Sequence, residues 1–170
     1  FAFGKPSKAS SGNAALAVDG NMDTRWESAS SDPQWIMVDL GNIVDISGVR
    51  IAWETAAGKL YEIKVSDNDE AWKNSDPMHH SWRTVYTEND GERGHTLEVS
   101  FPPESGRYIM IYGHQRATDY GYSIWEFEVY ANKVSTPVIE AEPDNQGAPE
   151  KTITIRTDTE GAQIRNTLDG

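Results

Sequence analysis

The segment AVDGNMDTRW, Ala17–Trp26, gathers Asp19, Asn21, Asp23, Thr24 and Arg25 within ten residues. Oxygen-bearing side chains at alternate positions are how an EF-hand loop begins, since a hard cation takes six to eight oxygens. The EF-hand pattern is not completed: Thr24 stands where the loop needs Gly and Ser30 where it needs a bidentate Glu. Two readings remain open. One is an Asp-Gly turn at Asp19–Gly20 whose side chains cap their own backbone. The other is a calcium loop with few carboxylates, completed by backbone carbonyls and a distant Glu.

Other chemistry is thinner. A glycosidase needs two carboxylates facing each other across a cleft, and Glu54, Glu126, Glu128 and Asp119 are available. Glu126 and Glu128 alternate along one predicted strand, and no strand-end pair stands out. His79 and His80 adjoin in a loop, are expected to diverge, and have no third ligand at zinc spacing. There is no GxSxG, phosphate loop or HExxH, and the absence of Cys removes thiolate nucleophiles and thiolate metal sites.

The elements that must position these residues are short alternating runs separated by Gly, Pro, Asn, Asp and Ser. They are Trp35–Leu40, Val49–Glu54, Tyr61–Ser66, Trp82–Tyr86, Thr96–Phe101, Tyr108–Tyr112 and Ile124–Tyr130. Val49, Ile51 and Trp53 share one face of their run, as do Tyr61, Ile63 and Val65 of theirs. The pattern predicts an all-β, antiparallel β-sandwich. Only one short helical turn is expected, over residues 13–18 behind an Asn13 cap. Residues 66–82 read as a long surface loop. After Tyr130 come Pro137, Pro143 and Pro149 in polar filler, then KTITIRT and AQIRNT as two strands about a turn at Glu160–Gly161.

Fifteen Lys+Arg against 27 Asp+Glu give a net charge of -12, so the phosphate-neutralising contacts of nucleic-acid binding are not expected, nor is attraction to anionic membranes. No apolar run approaches the roughly 20 residues a membrane helix needs. Phe1 opens the chain without an initiator Met or a signal peptide, as expected of an excised piece of a longer protein.

Four ordered motifs, AVDGNMDTRW, DPQWIMVDLG (Asp32–Gly41), RYIMIYG (Arg107–Gly113) and YGYSIWEFEVY (Tyr120–Tyr130), resemble the discoidin, coagulation-factor C-type fold. Within it the chain is similar to the family 32 carbohydrate-binding modules. That resemblance implies a galactose-binding-like jelly roll over residues 1–131 with a structural calcium. The ligands it implies are the carbonyls of Leu16, Asn21 and Trp125, the carboxylates of Asp19 and Glu126, and the carbonyl and hydroxyl of Thr24. Modules of this kind attached to chitosanases share the RW, WE and YGYS-WEFEVY elements. By the same resemblance Tyr120 would stack on a sugar ring, Arg25 would donate to hydroxyls, and Glu54 would accept from hydroxyls or pair with an amino group. Glu27 and Trp26 adjoin them, although Trp26, like Tyr122, also fits a core position. The loops SASSD and TAAGK, after Trp26–Glu27 and after Glu54, carry no aromatic.

The tail from Thr136 resembles the start of the small β domain that ends chitobiases and β-hexosaminidases, through its Thr-Pro opening, TITI strand and final Thr-Leu-Asp-Gly. The expected organisation is a module over 1–131, a linker over 132–150 and the truncated start of a second β unit over 151–170. The expected function is that of a non-catalytic, calcium-stabilised, monomeric module of a secreted, periplasmic or cell-surface bacterial glycoside hydrolase. Its partner would be an amino-sugar, β-glucan or galactoside glycan. The rival reading is a discoidin-type protein- or lipid-binding adhesion domain.

Overall fold

A computed structural model describes residues 1–133, 138–141 and 153–156. The chain forms two compact units, Phe1–Asn132 and Lys133–Gly170. Within the first, antiparallel strands β1 (Ser7–Ala9), β2 (Trp26–Glu27), β3 (Gln34–Trp53), β4 (Gly58–Ser66), β5 (Arg83–Glu88), β6 (Thr96–Arg116) and β7 (Ser123–Lys133) build a jelly roll. The strands run β2-β7-β3-β6-β4-β5, with β1 on β3.

Two expected strand pairs are each one long strand. Trp35–Leu40 and Val49–Glu54 both lie on β3, and Thr96–Phe101 and Tyr108–Tyr112 both lie on β6. The β3/β6 ladder slips between Asp39 and Val44 and again between Ile46 and Gly48. Such bulges bend a strand without ending it, so β3 and β6 run through the points where Gly41–Asn42 and Pro102–Pro103 suggested breaks. The prolines fall between the pairs Ser100↔Gly48 and Glu104↔Ile46, where no ladder bond needs their missing N–H.

Alternation places Val49, Ile51 and Trp53 in the core with Tyr61, Ile63 and Val65, as expected; Ile124, Phe127 and Val129 of β7 join them, although β7 does not keep a strict period of two between Ile124 and Phe127. A smaller cluster, Met37, Met110 and Tyr112, lies apart from it and is packed by Trp35, Trp72 and Trp82. The segment read as a plain surface loop supplies two of those tryptophans. Asn68 caps a single helical turn, α1 (Asp69–Lys73), Trp72 stacks on Tyr108 with centroids 5.5 Å apart, and Trp82 Nε1 donates to the Asp76 carbonyl at 2.9 Å. His79 and His80 do not diverge: their rings lie 4.3 Å apart, with Ser81 Oγ 2.8 Å from His79 Nδ1. The short turn at the N-terminal end is a 3₁₀ helix over Ala14–Ala17, with Asn13 accepting from the Ala15 N–H.

In the second unit β8 (Val138–Ala141) pairs with β9 (Ile153–Arg156) in antiparallel register, Val138 opposite Arg156. A strand thus occupies part of the segment read as linker. AQIRNT and the turn at Glu160–Gly161 lie outside the described residues.

Candidate glycan site and calcium loop

The loop between the 3₁₀ helix and β2 is closed by its own polar side chains. Asp19 Oδ1 accepts from the Asn21 N–H at 2.9 Å, and Asn21 Oδ1 from the Asp23 N–H at 3.0 Å, which are the Asx turns expected of Asp-Gly-Asn spacing. Thr24 Oγ1 lies 2.7 Å from Asp19 Oδ2 and 3.0 Å from the Asn21 carbonyl, so one hydroxyl proton is shared between two acceptors. From β7, Glu126 reaches the same loop and accepts from the Gly20 N–H at 3.0 Å. Burial pushes the Glu126 carboxyl up; the Gly20 N–H opposes this and the Asp19 charge adds to it.

Four of the six expected metal ligands, Asp19, Asn21, Thr24 and Glu126, therefore meet where Gly20 and Glu126, 106 residues apart, are bonded. Leu16 and Trp125 adjoin them along the chain. Among the described residues no group of three His, Cys, Asp or Glu converges. A calcium cage made of two carboxylates, a hydroxyl and backbone carbonyls requires none. The donors are all oxygen, and the two carboxylates repel one another, so the residues present fit a hard cation.

Beside this loop, β2 pairs with β7 through Trp26↔Ile124 and Glu27↔Ser123. The register sets Arg25 opposite Trp125. Its guanidinium lies over the Trp125 ring, 5.1 Å from the centroid, and Nη2 is 3.1 Å from Glu27 Oε2. Glu54 is joined to β7 from the other side: its N–H donates to the Ser123 carbonyl at 2.9 Å, and the Ser123 N–H donates to the Ala56 carbonyl at 2.7 Å. The Ala56 N–H, bonded to Glu54 Oε2 at 2.8 Å, holds the Glu54 carboxyl below the usual carboxylate range; burial opposes this and Thr55 and Arg25 assist. Between Glu27 and Glu54, Ser123 Oγ is buried without a hydrogen-bond partner. Such a group costs on the order of 1–3 kcal/mol.

Tyr120 is 70 % exposed on the loop leading into β7. Its backbone is fixed although its ring is free. Arg116 donates to the Asp119 and Tyr120 carbonyls at 3.1 and 3.2 Å and to Asp32 at 3.3 Å, while the Tyr122 hydroxyl donates to Asp32 at 2.6 Å. Loop 28–32 is tied to the same strand by Ser28 N–H to the Tyr122 carbonyl and Tyr122 N–H to Ser28 Oγ, both 2.8 Å.

Of the expected sugar contacts, Arg25, Glu27 and Glu54 are accessible and linked through β7, and Tyr120 projects from the adjoining loop. Trp26 has to be struck from the set. It is 1 % exposed, lies in the core, and donates Nε1 to the Ser11 carbonyl at 2.8 Å, leaving no face for a ring. This is the core position that Trp26 also fitted in the sequence. The side chain that sequence reasoning missed is Trp125, valued there only for its carbonyl, although in the structure it is half-buried between buried Ile124 and Glu126 and its ring lies under Arg25.

Comparison with known proteins bears on the fold and the family. A family model described as a NedA-like, galactose-binding domain matches residues 16–111. Chitosan-binding module 2 of a chitosanase/glucanase from Paenibacillus sp. IK-5, solved with chitotriose, is 38 % identical with a TM-score of 0.68, over 76 % of this chain and 98 % of that one. The family 32 carbohydrate-binding module of Clostridium perfringens NanJ, solved with galactose, is 25 % identical with a TM-score of 0.60, over 73 % of this chain and 91 % of that one. A polysaccharide lyase 8 family protein, HylA of Enterococcus faecalis, is 28 % identical over 142 residues, covering 79 % of this chain. The chain spans only 10 % of that relative's length.

Proposed function

Because the chain belongs to the F5/8 type C family of NedA-like, galactose-binding domains, we propose that it is a non-catalytic carbohydrate-binding module that holds a larger, secreted or cell-surface, glycan-degrading enzyme on its substrate. The observation that carries this is exposed Tyr120 on the loop entering β7, the strand to which the segments bearing Arg25, Glu27 and Glu54 are bonded. An aromatic face suits the C–H face of a pyranose, and the charged groups suit its hydroxyls. The tail resemblance makes the parent a glycoside hydrolase of chitobiase or β-hexosaminidase type.

The glycan we favour is an amino-sugar polymer. Two carboxylates, Glu27 and Glu54, face one guanidinium, Arg25, leaving one uncompensated negative charge. Glu54 keeps its charge through mildly acidic pH, where a glucosamine amine is protonated. Calcium held by Leu16, Asp19, Asn21, Thr24, Trp125 and Glu126 would pin the loop that leads directly into Arg25.

Calorimetry against chitotriose, its N-acetylated counterpart, β-1,3-glucan oligomers and galactose tests the reading. Tyr120→Ala is expected to weaken the best ligand about tenfold or more, as loss of an aromatic anchor does. Equal binding by wild type and variant would remove Tyr120 as the platform.

A pH series separates amino sugars from neutral ones. Affinity for chitotriose is expected to fall as pH rises and the amines lose their protons, and to fall with added salt, which screens exposed charges. The N-acetylated trimer should show neither trend. Chitotriose binding that is indifferent to both pH and salt would rule out pairing with Glu54 or Glu27.

A further inference from the structure

We propose that the Trp125 ring sets the Arg25 guanidinium for glycan recognition, which makes Trp125 a positioning residue of the site; this rests on the glycan-binding reading above. Arg25 lies just outside a strand of two residues, so no ladder beyond it restrains its backbone. Its side chain is 40 % exposed, and its ion pair with Glu27, itself 54 % exposed, is of the kind that holds little geometry. A free arginine carries much rotamer entropy and would have to lose it on binding. The Trp125 ring beneath it supplies the missing restraint. A guanidinium held over a ring by cation–π attraction need not spend its N–H groups on a hydrogen-bond acceptor. Nη2 is taken by Glu27, and the remaining donors stay available while the indole holds the guanidinium over its ring, 5.1 Å from the centroid.

Two features set this contact apart from ordinary packing. Trp125 is half-buried and belongs to neither hydrophobic cluster, so its ring is not what holds the sandwich together. A substitution also leaves its backbone carbonyl in place, so the calcium loop and the glycan surface can be perturbed separately although the same residue serves both.

The test uses the whole chain and its Trp125→Leu, Trp125→Phe, Arg25→Met and Trp125→Leu/Arg25→Met variants, with chitotriose and galactose as probes. Trp125→Leu is expected to weaken the better probe about three- to thirtyfold. Trp125→Phe, which keeps a π face, should recover most of that loss. The Leu exchange should cost nothing further once Arg25 is Met, and all four variants should melt close to wild type. Without any glycan, the Arg25 Nε–H resonance should be displaced by the ring current in wild type and Trp125→Phe, and revert to the free-arginine position in Trp125→Leu. Wild-type binding with an unaffected Trp125→Leu overturns the inference and leaves the function standing. A wild-type chain that binds neither probe, yet shows the Arg25 resonance shift, overturns glycan recognition while the contact itself stands. An Arg25 resonance identical in wild type and Trp125→Leu overturns the positioning role outright.

Discussion

Exchange of Gly121 for Ala is expected to lower the melting temperature by about 10–15 °C and to abolish glycan binding, although Gly121 itself touches no ligand. A Cβ at this position would stand 2.2 Å from the Ser28 carbonyl oxygen, 2.8 Å from Ser28 Oγ and 2.9 Å from the Ser28 carbonyl carbon. Two of these atoms are backbone, so no rotamer change relieves the clash; loop 28–32 must move away from β7. Moving it breaks both Ser28–Tyr122 bonds and draws Asp32 away from the buried Tyr122 hydroxyl and from Arg116. Overpacking costs about 1–3 kcal/mol, and each buried polar group left unpaired adds a similar amount, so a total near 3–4 kcal/mol is expected. Binding fails for a geometric reason, since Arg116 and Thr118 hold the backbone of Tyr120 in this same knot. Gly94→Ala is the control. Its φ of 58° makes alanine unfavourable by about 1–2 kcal/mol, but nothing lies within 4 Å of the new Cβ. Thermal unfolding of both variants checks the contrast, and equal melting temperatures would mean that the loop 28–32 contact contributes nothing to stability.

How much could be read beforehand depended on whether a segment had a period. Val49–Trp53 and Tyr61–Val65 were legible because one face of each is buried, so alternation shows in the residue types. The continuity of β3 and β6 was not, because a bulge accommodates the residues that signal a break, as Pro102 and Pro103 show. The helix at Asp69–Lys73 spans too little chain for periodicity, and only Asn68 followed by two acidic residues announced it. In the candidate site, the exposure of Tyr120 was legible from its flanking turns, whereas the roles proposed for Arg25, Glu54 and Tyr120 rest on family resemblance. For Trp26 the sequence offered both a core and a site position, and burial selects the core one; the ring of Trp125 gave no sign of its direction, since an aromatic beside a charged residue reads alike whether its ring faces in or out. The meeting of Asp19 with Glu126 across 106 residues, counted from Gly20, was accessible through family resemblance alone.

The second large effect concerns that meeting. Chelation is expected to lower the melting temperature of the wild-type chain by about 10 °C, because a metal bound only by the folded state at 100 to 1,000 times its Kd contributes about 3–4 kcal/mol. Glu126→Gln sharpens the expectation through a change of sign. Glu126 is 6 % exposed, and the charge of Asp19 faces it, so without a cation its negative charge is a burden on the fold. In chelator, therefore, Glu126→Gln should melt at or above wild type, since the amide still accepts from the Gly20 N–H without carrying charge. In calcium the order should reverse, with wild type rising and the variant staying where it was. Asp19→Asn should behave in the same direction with a smaller gain in chelator, because Asp19 is exposed and loses less solvation than Glu126. A purely structural turn predicts no dependence on chelator in any of the three, and an unchanged wild-type melting temperature with no metal by elemental analysis would leave the turn as the whole account of this loop. The crossing of the two melting curves with calcium is what a cage of opposed carboxylates produces and a self-capped turn does not.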